Sequence, residues 1–117
     1  MTVEQIEGQR LENVRRLAEL YDATVLLKGP FTLIADPSTS RVRVNTHATP
    51  ALATAGSGDV LAGIVGGLLA GGLPPIDAAS VGAYLHGATG LLAARSGPVA
   101  AGDLVATLPL AWQNVLG

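Results

Sequence analysis

The amino-acid sequence predicts an α/β fold in which short strands come first and packed, small-faced helices follow. Three observations carry this expectation. Residues 24–28, 31–35 and 41–44 are brief runs rich in β-formers, separated by Gly29-Pro30 and by Asp36-Pro37-Ser38, the punctuation of strands joined by turns. Residues 60–73 and 76–95 are long apolar segments dotted with Gly and Ala, beyond the usual length of a strand. Residues 2–21 carry apolar side chains at helical spacing.

Each element can be justified in order. Thr2 with Gln5 makes a capping box, and Ile6, Val14, Leu17, Ala18 and Tyr21 form the stripe that should lie on a sheet. Glu7, Arg10, Arg15 and Arg16 fall mostly on the wet side. Of the strands, 24–28 reads as buried, while Arg41-Val42-Arg43-Val44 alternates as a half-exposed strand does. Residues 60–73 read as a buried helix, in which Gly63, Gly67 and Gly71 make a side-chain-free stripe suited to tight packing beside a sheet. Pro75 suits the first turn of the next helix, whose small face includes Ala79, Gly82, Ala83, His86, Gly87 and Gly90. A last helix, 104–116, should begin near Asp103 and place Trp112 on its apolar side. Asp103 and Trp112 are assigned structural roles, and His86 is read as a packed or hydrogen-bonded core residue rather than a ligand contact.

At 117 residues the chain fits one small domain, 49% hydrophobic and only 14% charged, apolar enough to suggest a missing partner surface. The formal net charge is -2 with no basic cluster, which gives no electrostatic case for nucleic acid. Cysteine is absent, which removes disulfides and thiolate metal sites and agrees with a cytoplasmic location. The two histidines have no ligand spacing around them. A metal held by side chains alone is not expected, whereas magnesium carried by a nucleotide is. The polar N-terminus is unlike a signal peptide. Residues 60–73 contain five glycines and fall short of the roughly 20 apolar residues that span a bilayer.

The chain is organised around residues 49–73, where a glycine-punctuated turn runs into the apolar helix. Gly56, Ser57 and Gly58 can present backbone amides at a helix mouth, where unsatisfied N–H groups and the helix dipole favour an anion such as phosphate. The Lys-Ser/Thr pair of a Walker A loop is absent, and glycines at 56, 58 and 63 miss the dinucleotide spacing. Asp59 has two readings. It is the general base for a hydroxyl attacking that phosphate, or it is an ordinary first-turn carboxylate that supports the helix start. Spacing leaves both open.

Leu27-Lys28-Gly29 with Thr32, then LATAGSGDVLAGIVGGLLAGG, then AYLHGATG closely resemble the C-terminal half of the ADP/ATP-dependent NAD(P)H-hydrate dehydratases of the ribokinase-like superfamily. The match runs in order over nearly the whole chain. GSGDVLAG alone is shared with sugar and vitamin kinases of the superfamily, and the LKG-x-x-T segment with His86-Gly87 narrows it. At 47–52 this chain departs from the family pattern, with His-Ala-Thr-Pro-Ala-Leu where the family usually has a Thr-Gly-Asn-Pro-Gly-Met-like approach. Nothing corresponds to the family's long N-terminal portion.

The resemblance implies the C-terminal half of a three-layer α/β/α domain, so residues 1–117 are one incomplete domain. It implies that hydrated NADH or NADPH is returned to the working cofactor with hydrolysis of ADP or ATP, magnesium accompanying the nucleotide. Asp59 would be the catalytic base. Gly56, Ser57 and Gly58 would hold the transferring phosphate, and Lys28, Gly29, Pro30, Phe31 and Thr32 would contact the adenine nucleotide. A missing N-terminal half or a second copy would complete the site. The alternatives are a small-molecule kinase of the same superfamily and an inactive fragment.

Overall fold

The computed structural model describes residues 2–29, 31–46 and 49–116, so Pro30, His47 and Ala48 lie outside the described residues, as do the side chains of Gln5, Ile6 and Glu7. The chain forms α1 (Val3–Tyr21), β1 (Val25–Leu27), β2 (Thr32–Ala35), β3 (Val42–Asn45), a short 3-10 turn (Pro50–Ala53), α2 (Ser57–Ala70), α3 (Pro75–Ala94) and α4 (Ala101–Leu116). The expected strands are present, each trimmed or shifted by a residue or so at its ends.

The sheet has the order β1-β2-β3 and is antiparallel throughout, with Leu26 opposite Ile34 and Leu33 opposite Val44. Its alternation sorts side chains to two faces. Leu33 and Ala35 join Val14 and Ala18 of α1, while Ile34 joins Ala79 and Ala83 of α3. A sheet with a helix on each face is the three-layer α/β/α arrangement, and β2 sits at its centre because both of its faces are apolar.

Turns between these elements are fixed by local chemistry. α1 stops at Asp22, a non-glycine residue at φ 49. The Asp22 and Ala23 amides donate to Glu19 O and Ala18 O, which closes the helix with the paired bonds of a Schellman motif. In the β2–β3 turn, Asp36 accepts the Ser38 amide at 3.0 Å and the Thr24 hydroxyl at 2.5 Å. The Ser38 hydroxyl also bonds to it. These bonds hold its carboxyl below the usual carboxylate value, the Ser38 hydroxyl contributing most.

α3 is the buried helix of the fold, lying between α2 and α4. Its small residues let neighbours approach: a Cβ on Gly82 would stand 2.6 Å from Val65 Cγ2 of α2, and one on Gly90 would stand 2.6 Å from Leu52 Cδ2. The central helix departs from expectation. Of α2 only Ser57, Leu61 and Ile64 are buried, and a Cβ on Gly63 or Gly67 would meet nothing within 4 Å. The expected glycine stripe therefore faces open space here, and the close helix contact is made by the glycines of α3 instead.

Two further corrections concern apolar faces. Trp112 is 44% exposed, because α4 turns Leu104 and Ala111 inward. On α1, Val14 and Ala18 are buried as expected, but Leu17 and Tyr21 are 36% and 69% exposed. None of the described helices is long and apolar enough to cross a membrane.

Candidate anion site at the start of α2

Residues 54–60 form the loop that opens α2. Gly56 adopts φ 84, a left-handed conformation that costs a residue with a Cβ about 1–2 kcal/mol. A Cβ there would also come within 3.1 Å of Ala101 Cβ at the head of α4. The Ser57 amide donates to Thr54 O at 3.2 Å, and the Asp59 and Val60 amides both donate to Gly56 O. No acceptor is recorded among the described residues for the Gly56 and Gly58 amides. Those two donors are the ones left for an anion, while the amide of Ser57 is spent in the turn.

Lys28 supplies the charge. It leaves the end of β1 exposed to solvent, and its Nζ lies 3.0 Å from where a Cβ on Gly58 would stand. An ammonium group and an uncapped helix N-terminus thus share one spot, although they come from segments 30 residues apart in the chain (58 minus 28). A lysine ammonium and the positive end of a helix converge there, an arrangement that a bound phosphate would stabilise. Gly58 permits the approach because any side chain would displace the lysine tip.

Asp59 is exposed at the third position of α2, and the helix start receives no side-chain cap. This bears on the capping reading, because a third-position carboxylate that caps accepts the amide preceding the helix. Asp103 of α4 does that, accepting Ala100 N at 2.8 Å. Asp77, third in α3, pairs with Arg43 at 3.0 Å across an exposed surface. Among the described residues Asp59 has neither kind of partner.

Behind the loop, Ser57 is 1% exposed and His86 of α3 is 4% exposed, with Ser57 Oγ and His86 Nε2 2.9 Å apart. Burial, and then the Lys28 ammonium, push the His86 imidazole below its usual value, against hydrogen bonding to the Ser57 backbone. The reading of it as a hydrogen-bonded core residue describes its burial, and its partner places it directly under the candidate site.

Arg10 was expected on the wet side of α1, yet it holds the loop that carries Lys28. Its guanidinium donates to Phe31 O at 3.0 Å and to Lys28 O at 3.4 Å. A Cβ on Gly29 would stand 2.7 Å from Arg10 Cζ, so the guanidinium lies where only glycine leaves room. Phe31 is 45% exposed, and Thr32 begins β2 opposite Asn45. No sequence signal marks a basic residue that binds backbone carbonyls across 21 positions. Of the expected site residues, Lys28 meets Gly58 at the mouth of α2, where Asp59 is the third helical residue; Gly29 and Phe31 follow Lys28 in the chain, Thr32 begins β2, and Pro30 lies outside the described residues.

The family model described as NAD(P)H-hydrate dehydratase matches residues 1–110. The chain belongs to this family. It is 48% identical over 103 residues to the ADP-dependent (S)-NAD(P)H-hydrate dehydratase of Neisseria meningitidis serogroup B, a match covering 88% of this chain and 34% of that protein. It is 46% identical over 117 residues to the bifunctional NAD(P)H-hydrate repair enzyme Nnr of Moorella thermoacetica, covering 97% of this chain and 22% of that one.

Among solved structures, the ADP/ATP-dependent NAD(P)H-hydrate dehydratase from Bacillus subtilis co-crystallized with ATP/Mg2+ superposes with a TM-score of 0.84 at 30% identity. That match covers 96% of this chain and 41% of the other. The fold of this family member is thus the ribokinase-like α/β fold of the dehydratases. The chain spans about a third or less of the curated relatives named here and two fifths of that structure.

Proposed function

We propose that this chain is part of a nucleotide-dependent NAD(P)H-hydrate dehydratase, restoring hydrated NADH or NADPH to the reduced cofactor with hydrolysis of ADP or ATP. The observation that carries the reading is the Lys28 ammonium beside the Gly58 amide at the uncapped mouth of α2, with Asp59 exposed next to them. The family supplies the substrates. The neighbour from Bacillus subtilis was crystallised with ATP and magnesium, and the Neisseria relative is ADP-dependent.

The chemistry follows from the charges. Hydroxide is a poor leaving group, whereas phosphate leaves readily, so transfer of a phosphoryl group to the ring hydroxyl makes the loss of water feasible. Asp59 takes the hydroxyl proton as the ring hydroxyl oxygen attacks the terminal phosphorus and the bond from phosphorus to the bridging oxygen breaks, releasing ADP from ATP or AMP from ADP. The ring C–O bond then breaks as phosphate leaves, and the neighbouring ring carbon gives up a proton to restore the double bond. The Gly56 and Gly58 amides and Lys28 face the charge that develops on the transferring group. Lys28, Gly29, Phe31 and Thr32 are the residues this reading assigns to the remainder of the adenine nucleotide, and the exposure of Phe31 supports it. No group of three or more His, Asp or Glu residues is placed to hold a metal among the described residues, so magnesium would be carried by the nucleotide phosphates. The remainder of the cleft would come from the rest of the domain, and the same reading places the enzyme in the cytoplasm.

A kinase of the superfamily would use the same loop and the same aspartate, so the products decide. With the complete domain, hydrated NADH and ATP, the reading requires free phosphate and NADH in equal amounts, with growth of the reduced-nicotinamide absorbance. A stable phosphate ester with unchanged absorbance would assign a kinase. Phosphorylation of a sugar or vitamin alcohol, with no action on the hydrated cofactor, would do the same.

A further inference from the structure

His86 and Ser57 form a buried side-chain pair whose cost is out of proportion to any packing need. The buried polar residues among those described are Ser57, His86 and Thr89, and Thr89 satisfies itself by donating to Leu85 O one turn back. Apart from Thr89, the other buried residues of α3 are Ala, Gly and Leu, and burying an imidazole among them costs more than burying an apolar side chain of similar size. What an apolar residue could not do is fix the direction of the Ser57 side chain.

Ser57 stands between Gly56 and Gly58, the two glycines whose amides remain open. Glycine loses more conformational freedom on ordering than any other residue, so a Gly-Ser-Gly loop left to itself would spread its amides over many directions. The loop is tied at Ser57 on both sides, by its amide to Thr54 O and by its hydroxyl to His86 Nε2. The second tie crosses from the start of α2 to the middle of α3, the most buried helix of the fold. It also keeps the hydroxyl turned inward, away from the mouth where Lys28 meets Gly58.

We propose that His86 is a positioning residue for the anion site: by holding Ser57 from beneath, it pre-orders the Gly56 and Gly58 amides to face the nucleotide phosphate that Lys28 also faces. The inference rests on the function proposed above and adds to it a residue that never touches the ligand. Its contribution is to remove, before binding, the loop freedom that an incoming phosphate would otherwise have to freeze out.

The test compares ATP affinity, in the presence of magnesium, with melting temperature for the complete domain and for the same domain carrying each substitution. His86→Leu and Ser57→Ala should each weaken ATP binding by about tenfold, the expected cost of ordering a short loop on binding. His86→Gln, whose amide can meet the same hydroxyl, should restore most of the affinity. The double variant Ser57→Ala/His86→Leu should bind no worse than either single change, since both cut the same tie. Wild-type affinity in folded His86→Leu, or fully additive losses, would overturn the positioning role while leaving the anion site standing. If His86→Leu does not fold, His86→Gln and Ser57→Ala decide: a Gln variant as weak as Ser57→Ala, or a Ser57→Ala variant as tight as wild type, overturns it. Failure of the complete wild-type domain to bind ATP at millimolar concentration would instead strike at the anion site, and the positioning role would fall with it.

Discussion

Asp59 and Asp103 occupy the same third position of their helices, yet Asp103 accepts the Ala100 amide at 2.8 Å and Asp59 accepts no cap bond. The difference separates two roles that look alike along the chain. Asp103→Ala should therefore lower stability by about 1 kcal/mol, the usual worth of such a cap, readable in chemical denaturation. Asp59→Asn should leave stability and ATP binding near wild type. In the complete domain it should cut turnover of hydrated NADH by about 10² to 10⁴, the contribution of a positioned general base. Near-normal turnover with a lowered melting temperature would return Asp59 to the helix.

Gly56, just before α2, and Gly63, within it, should respond in opposite directions. Gly56→Ala places a Cβ on a residue at φ 84 and against Ala101, so it should destabilise by about 1–2 kcal/mol. Gly63→Ala meets nothing within 4 Å and should stabilise the chain by about 0.5–1 kcal/mol through the unfolded state. Urea midpoints for both variants check the pair. A destabilising Gly63→Ala would mean that the open face of α2 is covered in solution.

Arg10 ties the backbone at Lys28 and Phe31, so Arg10→Gln should loosen the loop that presents the ammonium group. The expected result is ATP affinity lower by about 0.5–1.5 kcal/mol, the usual net worth of a hydrogen bond, with the fold retained. Titration calorimetry measures it, and unchanged affinity would reduce Arg10 to a surface residue.

The depressed His86 value sets a pH dependence whose sign is fixed. Because the folded protein binds the His86 proton less readily than the unfolded chain, the His86 contribution is fully present above the unfolded value of about 6.5 and shrinks as pH falls through the folded one. Melting temperature should thus decline on acidification below pH 6.5, and His86→Gln should flatten that decline. Asp36, also held low, contributes a separate loss only below its ordinary value of 3.8.

Large apolar side chains stand in water along two helices: Leu20 at 75% and Tyr21 at 69% on α1, Val105 at 60% and Leu110 at 51% on α4. Exposed apolar area of this kind draws partners. The 117-residue chain should therefore self-associate or bind a hydrophobic dye, and light scattering with dye fluorescence reads both. A monodisperse, dye-silent monomer with a cooperative melt would count against reading the chain as part of a larger domain.

The sequence by itself determined the order of strands and helices, the glycine turn at 56–58 and the family to which the motif points. These depend on chemistry between near neighbours: apolar spacing, turn residues, and backbone angles open only to glycine. Which of three first-turn aspartates is capped, paired or left exposed was decided by the tertiary structure, as was the use of Arg10 and His86. Their partners lie 21 and 29 residues away, and Arg43 reaches Asp77 across 34, beyond the range of any local spacing rule. The same reason explains the glycine stripe of α2. Periodicity fixes which residues share a helix face, but only the packing of other segments decides what that face meets.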